Sequence, residues 1–235
     1  MSRRTPIPFL IVTLTCVLFA LPAMAQSTLG VGGGAYFESA ELDGEEVVSV
    51  RESDQSFDYK NDGYLNAHLK YLKPYGERMR IGMGLTYYGT YRGNEVGEDG
   101  PSDPPDLYEF GPLLQAYGQA EWIVSMGENL GLAVGSQLGA AVLFPRGDLK
   151  REIDRLQDQN VGVWSLPRLG YFLGPFIGGI WSLDERLSVR GDILFKWERL
   201  HLFQTTETVD DVSFRKNWKT SSLRTELMIG IEIAL

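Results

Sequence analysis

Leu223-Arg-Thr-Glu-Leu-Met-Ile-Gly-Ile-Glu-Ile-Ala-Leu235, the last thirteen residues of the chain, is the stretch whose reading decides the fold. Its odd positions are Leu223, Thr225, Leu227, Ile229, Ile231, Ile233 and Leu235; its even positions include Arg224, Glu226, Gly230 and Glu232. Successive side chains of a strand point to opposite faces, so a period of two puts the apolar set on one face and the charges on the other. The pattern recurs at 79–92, where Met79, Ile81, Met83, Leu85, Tyr87 and Tyr91 oppose Arg80, Gly82, Gly84, Thr86, Thr90 and Arg92. It recurs at 187–198, where Leu187, Val189, Ile193, Phe195 and Trp197 oppose Arg190, Asp192, Lys196 and Glu198.

Alternation alone also fits a soluble sandwich. Length argues otherwise. The segments run to about 10–15 residues, where soluble strands average about 5–6 and a tilted strand needs about 9–11 to cross a bilayer. The polar faces carry Gly82, Gly84, Gly131, Gly135, Gly139, Gly170, Gly174 and Gly178, which suits a crowded narrow interior better than a solvated surface. The expected fold is an all-β, antiparallel, up-and-down transmembrane barrel of about eight strands. The strands are expected near 28–37, 63–72, 79–92, 112–125, 130–144, 163–181, 187–203 and 220–235.

The connections alternate in length. Residues 73–78, 126–129 and 182–186 read as tight turns, and 38–62, 93–111, 145–162 and 204–219 as long polar loops. Outer-membrane barrels have short periplasmic turns and longer external loops, so three turns and four loops close an eight-strand count. Tyr71, Tyr75, Trp122 and Trp181 lie beside the turns. Tyr87, Tyr88, Tyr91, Phe144, Trp164, Trp197 and Phe203 lie toward the outer ends, as two interfacial girdles would require. Within the third long connection, 148–160 reads as a short amphipathic helix.

The other end of the chain carries an export signal. Arg3 and Arg4, an apolar run from Ile7 to Leu21 and the small-x-small site Ala23-Met24-Ala25 make residues 1–25 a signal peptide, with the barrel domain spanning 26–235. Cys16, the one cysteine, falls inside that signal, so no disulfide, thiolate metal site or cysteine nucleophile is expected in the mature chain. Loss of the two arginines moves the formal charge from −9 to −11, which argues against a nucleic-acid partner. Residues 38–62 hold nine acids and two bases, and 93–111 hold six acids and no base. Carboxylate clusters of this kind favour divalent cations, but without the spaced ligands of an EF-hand the expected reading is a solvated, repulsive surface, with cation binding as the alternative.

This pattern resembles the small eight-stranded outer-membrane barrels, the OmpA/OmpX-like group. The resemblance covers the whole mature chain: long–short alternation, dyad strands and a terminal amphipathic strand. In that group the last residue is usually aromatic, whereas here it is Leu235. The resemblance implies an outer-membrane location, membrane lipids and the barrel-assembly machinery as partners, and long loops as the place for an extracellular partner.

If the apolar faces meet lipid, the inward set includes Lys70, Arg80, Glu121, Arg190, Asp192, Lys196, Glu198, Arg224, Glu226 and Glu232. An eight-stranded barrel is just wide enough for its side chains to fill, and an unpaired buried charge costs several kcal/mol. The expectation is a lumen plugged by ion pairs in a non-enzymatic barrel with a structural or surface-interaction role. A narrow channel through the same residues is the alternative. A lipid-modifying enzyme is a third reading, since outer-membrane lipid A deacylases use a His-x-Ser pair on one strand. Here His68-Leu69-Lys70 and His201-Leu202-Phe203 lack the serine, and a base from His201 would have to find Ser213 or Glu207. No catalytic residue, cofactor or metal ligand is assigned.

Overall fold

The computed structural model describes residues 27–48, 51–97, 100–101, 107–164, 167–209 and 212–235; the signal-peptide expectation at 1–25 lies outside the described residues. The strands of the barrel are β1 (Thr28–Val48), β2 (Arg51–Tyr75), β3 (Met79–Gly97), β4 (Leu107–Ser125), β5 (Leu130–Leu143), β6 (Arg168–Ser182), β7 (Leu187–Val209) and β8 (Val212–Ala234), and a two-residue strand, Gly100–Pro101, folds back onto β3. One helix, α1 (Gly147–Asp158), lies between β5 and β6. Each strand pairs antiparallel with the next, and β8 pairs with β1 from Thr28↔Ala234 to Val48↔Phe214. The sheet closes into a ring of eight; β7 runs on past its last rung with β6, Gly170↔Leu200, and above that level it pairs only with β8 among the described residues.

Short turns join strands at 76–78, 126–129 and 183–186, on the side where Ser27 and Leu235 lie. They close by different devices. Gly76 takes a left-handed φ of 81°, while the Asp184 carboxylate accepts from the backbone N–H groups of Arg186 and Leu187 at 2.7 and 2.8 Å.

The other end corrects the expectation of long loops. Most of 38–62, 93–111 and 204–219 is strand: β1 pairs with β2 as far as Val48↔Arg51, and β7 with β8 as far as Val209↔Val212. Along β1, β2, β7 and β8 the wall therefore continues about 10 residues past the apolar band, roughly 25 Å along the axis at a strand rise of 3.3 Å and a 40° tilt. These segments look like loops because their polarity pattern inverts. Below, Leu29, Leu69, Leu85, Leu138, Ile193 and Ile229 point outward and are exposed, with charges inside. Above, Ser39, Glu41, Asp58, Gln204, Arg215 and Asn217 point outward, while Leu42, Tyr59, Leu202, Phe214 and Trp218 are buried. The lower half is arranged for lipid outside and the upper crown for water outside.

Bulges move some side chains across the wall. The register of β3 against β4 shifts between Tyr87 and Thr90, where Gly89 holds φ at 65°, and Tyr91 turns from the expected lipid face to the interior. A shift between His201 and Phe203 does the same for Phe203. Tyr88 follows the even parity of β3 inward. These three aromatics, expected in the outer girdle, are each at most 2% exposed and pack inside the barrel. Tyr87, Phe144, Trp164 and Trp197 stay outward at that end, as Tyr75, Trp122 and Trp181 do at the other.

The inward glycines make room for large neighbours. A Cβ on Gly174 would sit 2.7 Å from Lys196 Cγ, one on Gly30 would sit 2.7 Å from Lys70 Cε, and one on Gly84 would run into the Tyr117 ring. Gly174→Ala is expected to cost about 1–3 kcal/mol, because overfilling displaces a buried ammonium from its partners. Urea unfolding of the detergent-solubilised barrel measures it; a variant as stable as the parent would show slack around Lys196.

Candidate functional site: the lumen charge network

All ten charged residues expected inside are there, and they gather in two tiers. The lower tier sets three cations, Lys70, Arg80 and Arg190, against three carboxylates, Glu121, Asp192 and Glu232. Lys70 Nζ is 2.9 Å from Glu232 and 3.5 Å from Asp192. Arg80 reaches Glu121 through Nε at 2.6 Å and Glu232 at 2.9 Å. Arg190 contacts Glu121 at 2.8 Å, Asp192 at 2.7 Å and Glu232 at 3.0 Å. Gln119 donates to Glu121 at 2.7 Å and accepts from Gln137 at 3.0 Å, extending the layer to β5.

In the upper tier, Lys196 and Arg224 meet Glu38, Glu198 and Glu226. Arg224 lies 3.1 Å from Glu38 and 3.2 Å from Glu198, and its guanidinium sits 4.5 Å above the centre of the Tyr88 ring. Lys196 Nζ lies 3.2 Å from Glu226 and donates to the Tyr88 hydroxyl at 2.9 Å and to Gln115 at 3.0 Å. Tyr88 donates in turn to Glu226 at 2.5 Å, Tyr91 donates to Glu38 at 2.8 Å, and Gln115 donates to Glu198. Asn66 and His68, buried on β2 between the tiers, complete the column, Asn66 donating to Glu226 at 3.4 Å.

The register explains the partner choice. Lys196 lies directly opposite Arg224 across β7 and β8, an arrangement that would repel if nothing intervened. The ion pairs therefore run diagonally: Lys196 to Glu226, Arg224 to Glu198 and Arg190 to Glu232. Charges taken out of water are tolerated only when each finds several partners, and here every carboxylate of both tiers does.

Sequence reasoning missed Glu38, Tyr88, Tyr91 and Gln115. Glu38 reads as the first residue of an acidic loop, yet Tyr36, Glu38, Ala40 and Leu42 keep one inward parity along β1. Continuing the alternation past residue 37 would have found it.

An apolar layer covers the upper tier. Tyr91, Phe110, Leu113, Leu143, Leu200 and Phe203 fill the crown, and α1 lies across it with Leu149, Ile153 and Leu156 buried. Lys216, 1% exposed, ties the helix to the wall by pairing with Glu152 of α1 and with Glu46 of β1 at 3.0 Å. Burial raises the Glu152 carboxyl, but hydrogen bonds from Arg155 and Lys216 outweigh it and hold the group below its usual range. At the opposite mouth a vestibule of about 300 Å³ reaches only as far as Arg80 and Glu232. Beyond it, the gap lined by His68, Lys70, Arg190 and Asp192 is too small for a water molecule.

No protein-family model matches the sequence, and no curated protein does. Among solved structures the chain is similar to the outer membrane protein OprG from Pseudomonas aeruginosa, at TM-score 0.49 and 12% identity over 90% of this chain and 97% of that one. It is similar to the outer membrane protein AlkL, at 0.45 and 13% over 100% and 97%, and to Neisserial surface protein A, at 0.43 and 11% over 86% and 97%.

The two histidines are far apart in character. His68 is buried beside Lys70. His201 is exposed on the outside of β7 opposite Lys219, whereas Ser213 pairs with Thr208. Six residue steps separate those rungs, roughly 20 Å at the usual strand rise, so the structure does not bring His201 and Ser213 together. The Glu207 side chain lies outside the described residues.

Proposed function

We propose that this chain is a non-conducting outer-membrane barrel that serves as a structural or surface-interaction element rather than as a pore or an enzyme. The observation that carries the reading is the unbroken filling of the interior: paired charges, then an aromatic and aliphatic layer, then α1 across the outer mouth. A solute path would require both tiers to part and the helix to leave a core in which three of its side chains are buried. The crown supports the interaction role, because it holds a polar, strand-built surface above the membrane for an extracellular partner. The barrel-assembly machinery and outer-membrane lipids are the other partners this reading requires.

Reconstitution into a planar lipid bilayer tests the proposal. The expected result is a membrane that stays electrically silent under an applied voltage while the inserted protein remains folded. Steady single-channel steps would overturn it in favour of a narrow channel. Release of fatty acid from lipid A by the purified barrel would overturn it in favour of an enzyme.

A further inference from the structure

The outer wall carries a feature that a closed lumen does not use. On β6, β7 and β8 the last apolar row is Leu173, Trp197 and Leu223, paired across the three strands and pointing outward. The next row upward pairs Tyr171 with Arg199 and Arg199 with Ser221. The row after that pairs His201 with Lys219, and Lys219 with Asp43 of β1. Arg199, His201 and Lys219 thus begin where the lipid-facing band ends. Neighbouring side chains within such a patch lie about 5–8 Å apart, the scale of one headgroup. Tyr171 packs edge-on against Trp197 at 5.6 Å beneath them, as interfacial aromatics do.

These basic side chains are poorly matched by carboxylates. Elsewhere on the upper outer wall Arg92 is matched by Glu109 at 3.7 Å, and Arg215 by Glu45. Lys219 has one long, exposed pair, 3.5 Å from Asp43. Among the described residues Arg199 and His201 have no carboxylate partner, and Arg199 Nε is enclosed without an acceptor. In a chain of net charge −9, this patch at headgroup level has one carboxylate, Asp43, to set against an arginine, a lysine and a histidine. Beside it, bordered below by Trp197 and Leu223, lies an open depression of about 460 Å³. The Ser39 and Ser221 hydroxyls, the Glu41 and Asp58 carboxylates and Lys60 line its upper part. The carboxylates repel a phosphate, whereas both they and the hydroxyls accept hydrogen bonds from sugar hydroxyls.

We propose that this face holds the phosphorylated sugar headgroup of an outer-leaflet glycolipid. The phosphate lies over Arg199, His201 and Lys219, the sugar lies in the serine-lined depression, and the acyl chains run down over Trp197 and Leu223. Division of labour between the two halves separates this ligand from an ordinary anionic phospholipid, which has the phosphate without the sugar.

The test titrates the folded, detergent-solubilised barrel with lipid A or with phosphatidylglycerol and follows the thermal unfolding midpoint, which rises with any ligand that binds only the folded state. Lipid A is expected to raise the midpoint at lower mole fraction than phosphatidylglycerol. The double variant Arg199→Gln/Lys219→Gln should bind lipid A about 25-fold more weakly, about fivefold for each charge lost near the surface. Arg215→Gln, on the same wall but already paired, should bind as the parent does; migration on unheated gels verifies that each variant is folded. The proposal is overturned if lipid A leaves the midpoint unchanged, if phosphatidylglycerol matches it, or if the double variant binds as tightly as the parent.

Discussion

Arg224→Ala is expected to lower the unfolding free energy by about 3–5 kcal/mol, the usual result of removing one partner from a buried ionic network. Arg224 is fully buried, lies 3.1 Å from Glu38 and 3.2 Å from Glu198, and stacks over Tyr88. Alanine would leave Glu38 and Glu198 facing each other with no arginine between them, in a space walled by Tyr36, Tyr88 and Tyr91. Lys196 already serves Glu226 and cannot neutralise three carboxylates. Denaturant unfolding of the refolded barrel measures the loss, and bilayer current recorded on the same variant supplies the control. A stable variant with a new current would mean that the freed carboxylates hydrate in an open lumen, which would sink the plug.

Ile229→Arg is expected to cost about 2–4 kcal/mol, the penalty for arginine on the lipid face of a barrel near the bilayer midplane. The matched comparison is Asn217→Arg. Both positions lie on β8 and share its outward parity, twelve residues apart, but Asn217 is in the crown. There the new charge stays in water, and the change should be within about 0.5 kcal/mol. Equal costs at the two sites would show that the lipid band has been placed wrongly and that the inversion of polarity along the wall does not mark the membrane surface.

Much of this architecture is legible along the chain because its cause is local. A strand shows its two faces every two residues, so Leu227, Ile229 and Ile231 against Arg224, Glu226 and Glu232 declare which side meets lipid without any knowledge of neighbours. The same arithmetic puts Lys70, Arg80, Glu121 and Arg190 inside. It fails where one residue is inserted: the bulges near Gly89 and His201 reverse the parity, and carry Tyr91 and Phe203 inward. The crown was misread as loops for a different reason. Its outward face is polar and its inward face largely apolar, so a search for apolar-out strands stops at residue 37 in β1 and resumes only at residue 220 in β8.

By itself, then, the sequence determined the strand number, the lipid-facing parity of the membrane band and ten of the inward charges. Each follows from period-two alternation and from the cost of placing a charge in hydrocarbon. Only the tertiary structure decided which carboxylate meets which cation. That choice depends on the stagger at which β8 closes on β1 and β7, and a shift of two residues would exchange every diagonal pair. The tertiary structure also decided that Glu38 belongs to the lumen and that α1 lies across its mouth. Both depend on a wall that continues beyond the membrane, and that wall persists because its aromatic and aliphatic interior is buried only once the ring has closed.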